Sequence, residues 1–246
     1  MIRLKLVVIV LIGSWGISCY GQSYIDATGA GRINSSRVLN EFSSLRNKNS
    51  RFNVPLEEIK GSMYYEEAFK EGTIVREGSA IISGQFLRHN AFSDEIEIKT
   101  NQNIASEDFV VLNKEEKISV EIGSISYLYR SFFPSKNKTQ KGYLIPLVMG
   151  SPYRLYQQKI KEYREEQKAS PGLGASIPAR FEEKHILYYQ FHNGEIERLK
   201  QNNKTLNIML KKSNIKRDEL IKIINLDLKN TTEWVDILLT INKLYK

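Results

Sequence analysis

Cysteine is nearly missing from this chain: Cys19 is the only one in 246 residues. A disulfide needs two thiols and a thiolate metal centre needs several, so neither can hold the fold together. Histidine is almost as scarce, with His89, His185 and His192 the only three. None belongs to a His-Glu-x-x-His helix, which would set two imidazoles on one face for zinc, and no Gly-x-Ser-x-Gly elbow lifts a serine toward substrate. Gly29-Ala30-Gly31 lacks the preceding strand and remaining glycine of a dinucleotide fingerprint. Charge of one sign is not concentrated either. The chain has 36 Lys and Arg against 28 Asp and Glu, and its densest basic clusters, Lys136-Lys138-Lys141 and Lys211-Lys212 with Lys216-Arg217, are short and interrupted by acids such as Asp218 and Glu219. Nucleic-acid binding needs cations placed to neutralise several phosphates together. These absences argue against a cofactor, a bound metal and a nucleic-acid partner.

What is present begins with an address. Arg3 and Lys5 precede the unbroken apolar run Leu6 to Ile12; Gly13, Ser14 and Gly16 then loosen any helix. Cys19 and Gly21 are small residues at the two positions a signal peptidase reads, so residues 1–21 are expected to be a signal peptide removed before Gln22. As a helix, Leu6 to Tyr20 would reach only ~22 Å against a hydrocarbon core of ~30 Å, which rules against a retained span. The expected location is the periplasm or the exterior. Lipid anchoring at Cys19 is the minor alternative, with Gly16 standing where a lipoprotein box usually has Leu. Cleavage before Gln22 would remove the lone thiol, and would lower the formal net charge of +8 by the two charges of Arg3 and Lys5.

Residues 22–71 are rich in Ser, Asn, Arg and Gly without a sustained period, and read as a loosely ordered lead-in carrying one short helix around Ser36 to Leu45. From Gly72 the texture changes to short β-branched and aromatic runs broken by Gly, Asn and Ser. Asp94 to Lys99 and Lys117 to Ile122 alternate strictly, predicting Ile96, Ile98, Ile118, Val120 and Ile122 toward a core and the acids toward water. Further strands are expected at Thr73 to Arg76, Ala80 to Arg88, Phe109 to Leu112, Ser126 to Phe133 and Tyr143 to Met149. Tyr153 to Glu165 fits either a strand or a helical stripe, and strand is favoured. Pro171, Gly172, Gly174 and Pro178 then mark a mobile loop. Asn193-Gly194 predicts a type I′ hairpin within Lys184 to Lys200, setting Phe191 opposite Ile196 and His192 opposite Glu195. Three helices are expected at Lys204 to Lys211, Ile215 to Asn225 and Thr231 to Tyr245. The last is capped by Asn230 and striped by Trp234, Ile237, Leu238, Ile241 and Leu244. The fold class is therefore α+β: an antiparallel meander over 72–200 forming a small barrel or sandwich, followed by a helical tail over 201–246.

The stretch Gly84-Gln-Phe-Leu-Arg-His-Asn-Ala-Phe-Ser-Asp-Glu-Ile-Glu97, with Gly72-Thr73-Ile74 ahead of it, resembles a family of small secreted proteins common in Bacteroidota. Gly142-Tyr143, Leu155-Tyr156, Ala179-Arg180-Phe181 and Tyr188-Tyr189 are similar landmarks, and the likeness runs from roughly Gly61 to Tyr245. No motif in it is catalytic and the family has no established activity, so the resemblance implies a cellular context and not a mechanism.

Arg88, His89, Asn90, Asp94 and Glu95 form the densest polar constellation and are the candidate binding residues. Arg88 is expected to reach Asp94 across the turn Asn90 to Ser93, with His89 beside that turn. Adjacent acids such as Glu66-Glu67, Asp94-Glu95, Glu115-Glu116 and Glu182-Glu183 point to opposite sides of a strand, unlike the facing carboxylates of a glycosidase. Tyr127, Tyr129, Phe132 and Phe133 are a candidate stacking platform, though such residues more often fill a sheet core. The expectation is a non-catalytic envelope module that binds another envelope protein or a cell-surface polymer. A carrier of a small apolar ligand inside a barrel is the second reading and an envelope hydrolase the third.

Overall fold

The computed structural model describes residues 43–45, 52, 54–99, 109–168, 175–224 and 228–245. The expected signal peptide and most of the helix anticipated at Ser36 to Leu45 lie outside them. Ser43–Leu45, the described end of that helix, is instead a strand, β1, whose backbone pairs antiparallel with Val110–Leu112, β5. A sheet edge in need of a partner outweighs local helix propensity here.

The remaining strands are β2 (Lys70–Arg76), β3 (Ser79–Asn90), β4 (Glu95–Lys99), β6 (Ile118–Ile122), β7 (Ile125–Ser135), β8 (Lys138–Val148), β9 (Tyr153–Arg164), β10 (Arg180–Phe191) and β11 (Ile196–Arg198). Their hydrogen-bonded order is β1-β5-β4-β3-β2-β6-β7-β11-β10-β9-β8, and β8 pairs again with β7. Three junctions depart from a simple meander: β1 pairs with β5, β2 takes β6 as its second neighbour, and β11 meets β7 in parallel at Glu197 and Phe133. The result is an open sheet, β1 to β6, whose last strand hydrogen-bonds to a closed ring, β7 to β11. One edge of β7 carries both, with β6 along Ile125 to Leu128 and β11 at Phe133, while β8 lies along the other edge.

Each strand of the ring sends one side chain into a shared cluster: Phe132, Leu144, Tyr156, Tyr188 and Ile196, all buried. The rings of Phe132 and Tyr188 approach to 4.6 Å between centroids, although their strands are not neighbours. By the two-residue alternation, Tyr153 and Leu155 on β9 and Leu187 on β10 belong to the opposite face. There they form a second core with Leu206, Met209, Leu210, Trp234, Ile237, Leu238 and Ile241 of the helical tail. With both faces covered, β9 has apolar residues at positions of either parity, which is why the same stretch also fits a helical stripe.

The tail consists of α1 (Asn203–Lys212), α2 (Arg217–Ile221) and α3 (Thr231–Leu244), matching the three expected helices. Asn202 and Asn230 cap α1 and α3, accepting from the amides of Thr205 and Thr232. Trp234 is fully buried and donates its indole N–H to Leu228 O at 2.9 Å. Packing of this stripe supplies most of a short helix's stability.

The hairpin between β10 and β11 is present, but its register differs by one residue from expectation. Gln190 faces Ile196 and Tyr189 faces Glu197. The left-handed residue is His192, with φ of 50°, and neither Asn193 nor Gly194 has a positive φ. Tertiary contacts decide this: His192 donates its N–H to Pro152 O, and its ring lies beside those of Phe191 and Tyr245.

Candidate functional site

The candidate residues on β3 and β4 come together, but in a different pairing. Arg88 does not reach Asp94. It stands directly opposite Glu97 in the antiparallel register and donates Nε and Nη2 to Glu97 Oε2 at 3.0 and 2.5 Å. Glu97 is fully buried, contrary to the expectation that the acids of β4 face water. The cause is residues 54–69, which cross the outer face of these strands. Tyr64 bridges to Asn90, and its hydroxyl lies 3.0 and 3.1 Å from the two Glu97 oxygens while accepting from Arg88 Nη2 at 2.9 Å. Asn90 Nδ2 donates to Glu97 Oε1 at 3.0 Å. A carboxylate taken out of water needs an opposite charge and donors on both oxygens, and this one has them.

The guanidinium is enclosed as well. It lies 3.7 Å from the centroid of the Tyr64 ring and 4.2 Å from that of Phe69, with Nη1 donating to Glu67 O at 2.8 Å. Rings on its faces favour the cation, and the oxygens at its edge use its donors. Below the crossing segment, Ile59, Ala179 and Phe181 form a further apolar cluster joined by Phe52, Phe92 and Tyr163. Lys60 exchanges backbone hydrogen bonds with Ala179 and Phe181, so the segment ties the open sheet to the ring.

His89 and Asp94 point to the other side. His89 lies within β3, not in a turn, and its Nε2 is 3.1 Å from Asp94 Oδ1. Its ring stacks against Tyr127 at 4.9 Å. Asp94 Oδ2 accepts the backbone N–H of Tyr143 at 3.0 Å. That approach requires a glycine: a Cβ on Gly142 would stand 2.6 Å from the same oxygen. Burial, followed by the Asp94 charge, raises the Tyr143 phenol well above its ordinary range. Asn90 Oδ1 accepts from the amides of Phe92 and Ser93, an Asx turn, and Glu95 accepts from Ser93 Oγ at 2.7 Å. These contacts close the β3–β4 hairpin.

Residue spacing did not mark Glu97, Tyr64 or Phe69 as part of this cluster. Placing the turn at Ala91 to Asp94 would have exposed the Arg88–Glu97 pair, since cross-strand opposition of unlike charges is a sheet signature. Tyr64 and Phe69 lie in a segment with no period to read.

The proposed aromatic platform does not form as a unit. Tyr127 and Phe132 are buried in two different cores and Tyr129 packs beside the first. Phe133 alone reaches a surface groove of about 1170 Å³, bounded by the β7–β8 connection, β11 and the start of α1. Tyr189 shares its wall, its phenol raised by burial and then by Glu197, whose carboxylate accepts its O–H at 3.1 Å. Lys136, Arg198, Lys200 and Lys204 line the same groove, and among the described residues none of the four forms an ion pair.

Among the described residues no three His, Asp or Glu side chains converge as a metal site, and no helix is long and apolar enough to cross a membrane. Searches against protein-family models, curated proteins and solved structures return no match to this chain.

Proposed function

We propose that the protein is an exported, non-catalytic binding module of the cell envelope and that the groove between the β7–β8 connection, β11 and α1 is its binding face. One contrast carries the reading. Arg88, Asn90 and Glu97 of β3 and β4 use their hydrogen-bonding capacity on one another, whereas the groove holds four cations without a carboxylate partner among the described residues. Its volume of about 1170 Å³ exceeds the ~300–1,000 Å³ of ordinary small-molecule sites, which favours a macromolecule.

The carrier reading finds little support. The side chains of Phe132, Leu144, Tyr156, Tyr188 and Ile196 pack against one another as a buried cluster within the ring.

The test is a photoreactive side chain at Ile208, which is 46% exposed on the groove wall, activated in the intact envelope of the native host. The expected product is a crosslink to one envelope component from Ile208 and none from a matched probe at Ile177, far along the chain from the groove. Equal labelling from both positions overturns the groove, and an intact Met1 in the soluble cytosol overturns export. Turnover of an envelope glycan or ester, abolished by a single Glu or His substitution, overturns the non-catalytic assignment.

A further inference from the structure

Resting on the proposed binding face, we infer that the groove takes an extended acidic polysaccharide, a chain of hydroxyl-rich rings bearing carboxylates. Three features of the groove select this chemistry together. Lys136, Arg198, Lys200 and Lys204 supply positive charge on more than one side, from the β7–β8 connection, from β11 and from α1. The first turn of α1 adds to it, since Asn203 and Lys204 lie at the positive end of a ten-residue helix beside the groove. Phe133 and Tyr189 add aromatic surface to the wall for contact with apolar sugar faces.

The third feature separates a glycan from other polyanions. Glu195 and Glu197 stand in the same groove as the cations. A phosphate backbone, with its regular dense charge, would meet repulsion from both carboxylates, and its binding depends on cations placed in an unbroken track. A uronate polymer has one charge per acidic ring and several hydroxyls between charges. Carboxylates are good acceptors for those hydroxyls, as is the side-chain oxygen of Gln201, also on the wall. Mixed sign within one groove thus matches a polymer whose own groups alternate between anionic and neutral hydrogen-bonding character. The exposed Ile208 adds an apolar contact from α1.

Binding of purified protein to polygalacturonate is measured by affinity electrophoresis and calorimetry, with dextran, duplex DNA and phosphatidylglycerol vesicles as comparison ligands. The expected result is binding to polygalacturonate that weakens with salt. It should fall roughly tenfold or more in K200E/K204E, while K222E, at the exposed residue just after α2, binds as the parent does. Unchanged thermal midpoints in both variants confirm that charge and not folding was altered. Equal binding to dextran overturns the role of the cations. Stronger binding to DNA or to vesicles assigns the groove to phosphate and overturns the inference. Binding to none of the four also overturns it, yet leaves the crosslink from Ile208 standing, so the ligand class and the binding face fail separately.

Discussion

Asn242 on α3 holds both backbone groups of Tyr153 with one side chain: its Oδ1 accepts the Tyr153 N–H at 2.9 Å and its Nδ2 donates to the Tyr153 carbonyl at 2.8 Å. The amide occupies the position of a neighbouring strand, at the start of β9 where β8 has not yet begun to pair. Asn242→Ala leaves two backbone groups of a buried residue without these partners and is expected to cost about 1–3 kcal/mol. Urea denaturation measures it. The same amide explains Gly150, where a Cβ would stand 2.5 Å from Nδ2. Gly150→Ala should therefore be costly alone and nearly neutral in the Asn242→Ala background, a coupling that a double-mutant cycle reads directly.

Removing one partner of the buried Arg88–Glu97 pair should be worse than removing both. Glu97→Leu and Arg88→Met each strand a charge or its donors and are each expected to cost about 3–5 kcal/mol. The double variant should lose clearly less than their sum, because two apolar side chains replace two desolvated charges of similar size. Full additivity in chemical denaturation would show that the two residues act independently.

Alkaline stability follows from the tyrosines. Burial above all pushes the phenols of Tyr127, Tyr153 and Tyr188 up from 10.0 to about 12. Between those values the unfolded chain has released protons that the folded chain still holds, so this stabilisation is complete below pH 10 and declines as pH rises toward 12. Tyrosinate absorbance should lag the ordinary titration and then appear together with loss of tertiary circular dichroism. A smooth titration near pH 10 with the fold intact would contradict the burial of these rings.

On the acid side, His185 is held below its ordinary 6.5, first by partial burial and then by the Lys159 charge. As pH falls through 6.5 the unfolded imidazole takes a proton before the folded one does, so stability decreases. Subtracting the melting profile of His185→Gln from that of the parent should isolate this loss and show it beginning near pH 6.5. NMR of the imidazole protons should give a folded pKa below that value.

Much of this fold can be read from local pattern. The alternation in Ile118 to Ile122 and the apolar stripe of α3 translate directly into one-sided burial, because each of those elements meets the core on the predicted face. The readings that failed share another cause. Glu97 alternates correctly with Ile96 and Ile98, yet its outward face is roofed by residues 54–69, and nothing in the period of a strand reports what will cover it. Asn193-Gly194 carries a strong turn preference, yet the anchoring of His192 by Pro152 displaces the bend by one position. The groove leaves no mark in the sequence for a similar reason: Phe133 stands among aromatic neighbours along its own strand, while Tyr189 and Lys204 reach it only through the closure of the ring.

Strand β7 shares one edge between β6 and β11 and gives the other to β8. It works like a common beam, built into both halves of the frame at once. Melting either half frees an edge of the same strand, so the loss of one weakens the other. Heating should therefore dismantle the described β architecture in one step, with mechanical tension passing between the halves along this strand as well as through the backbone bonds of Lys60.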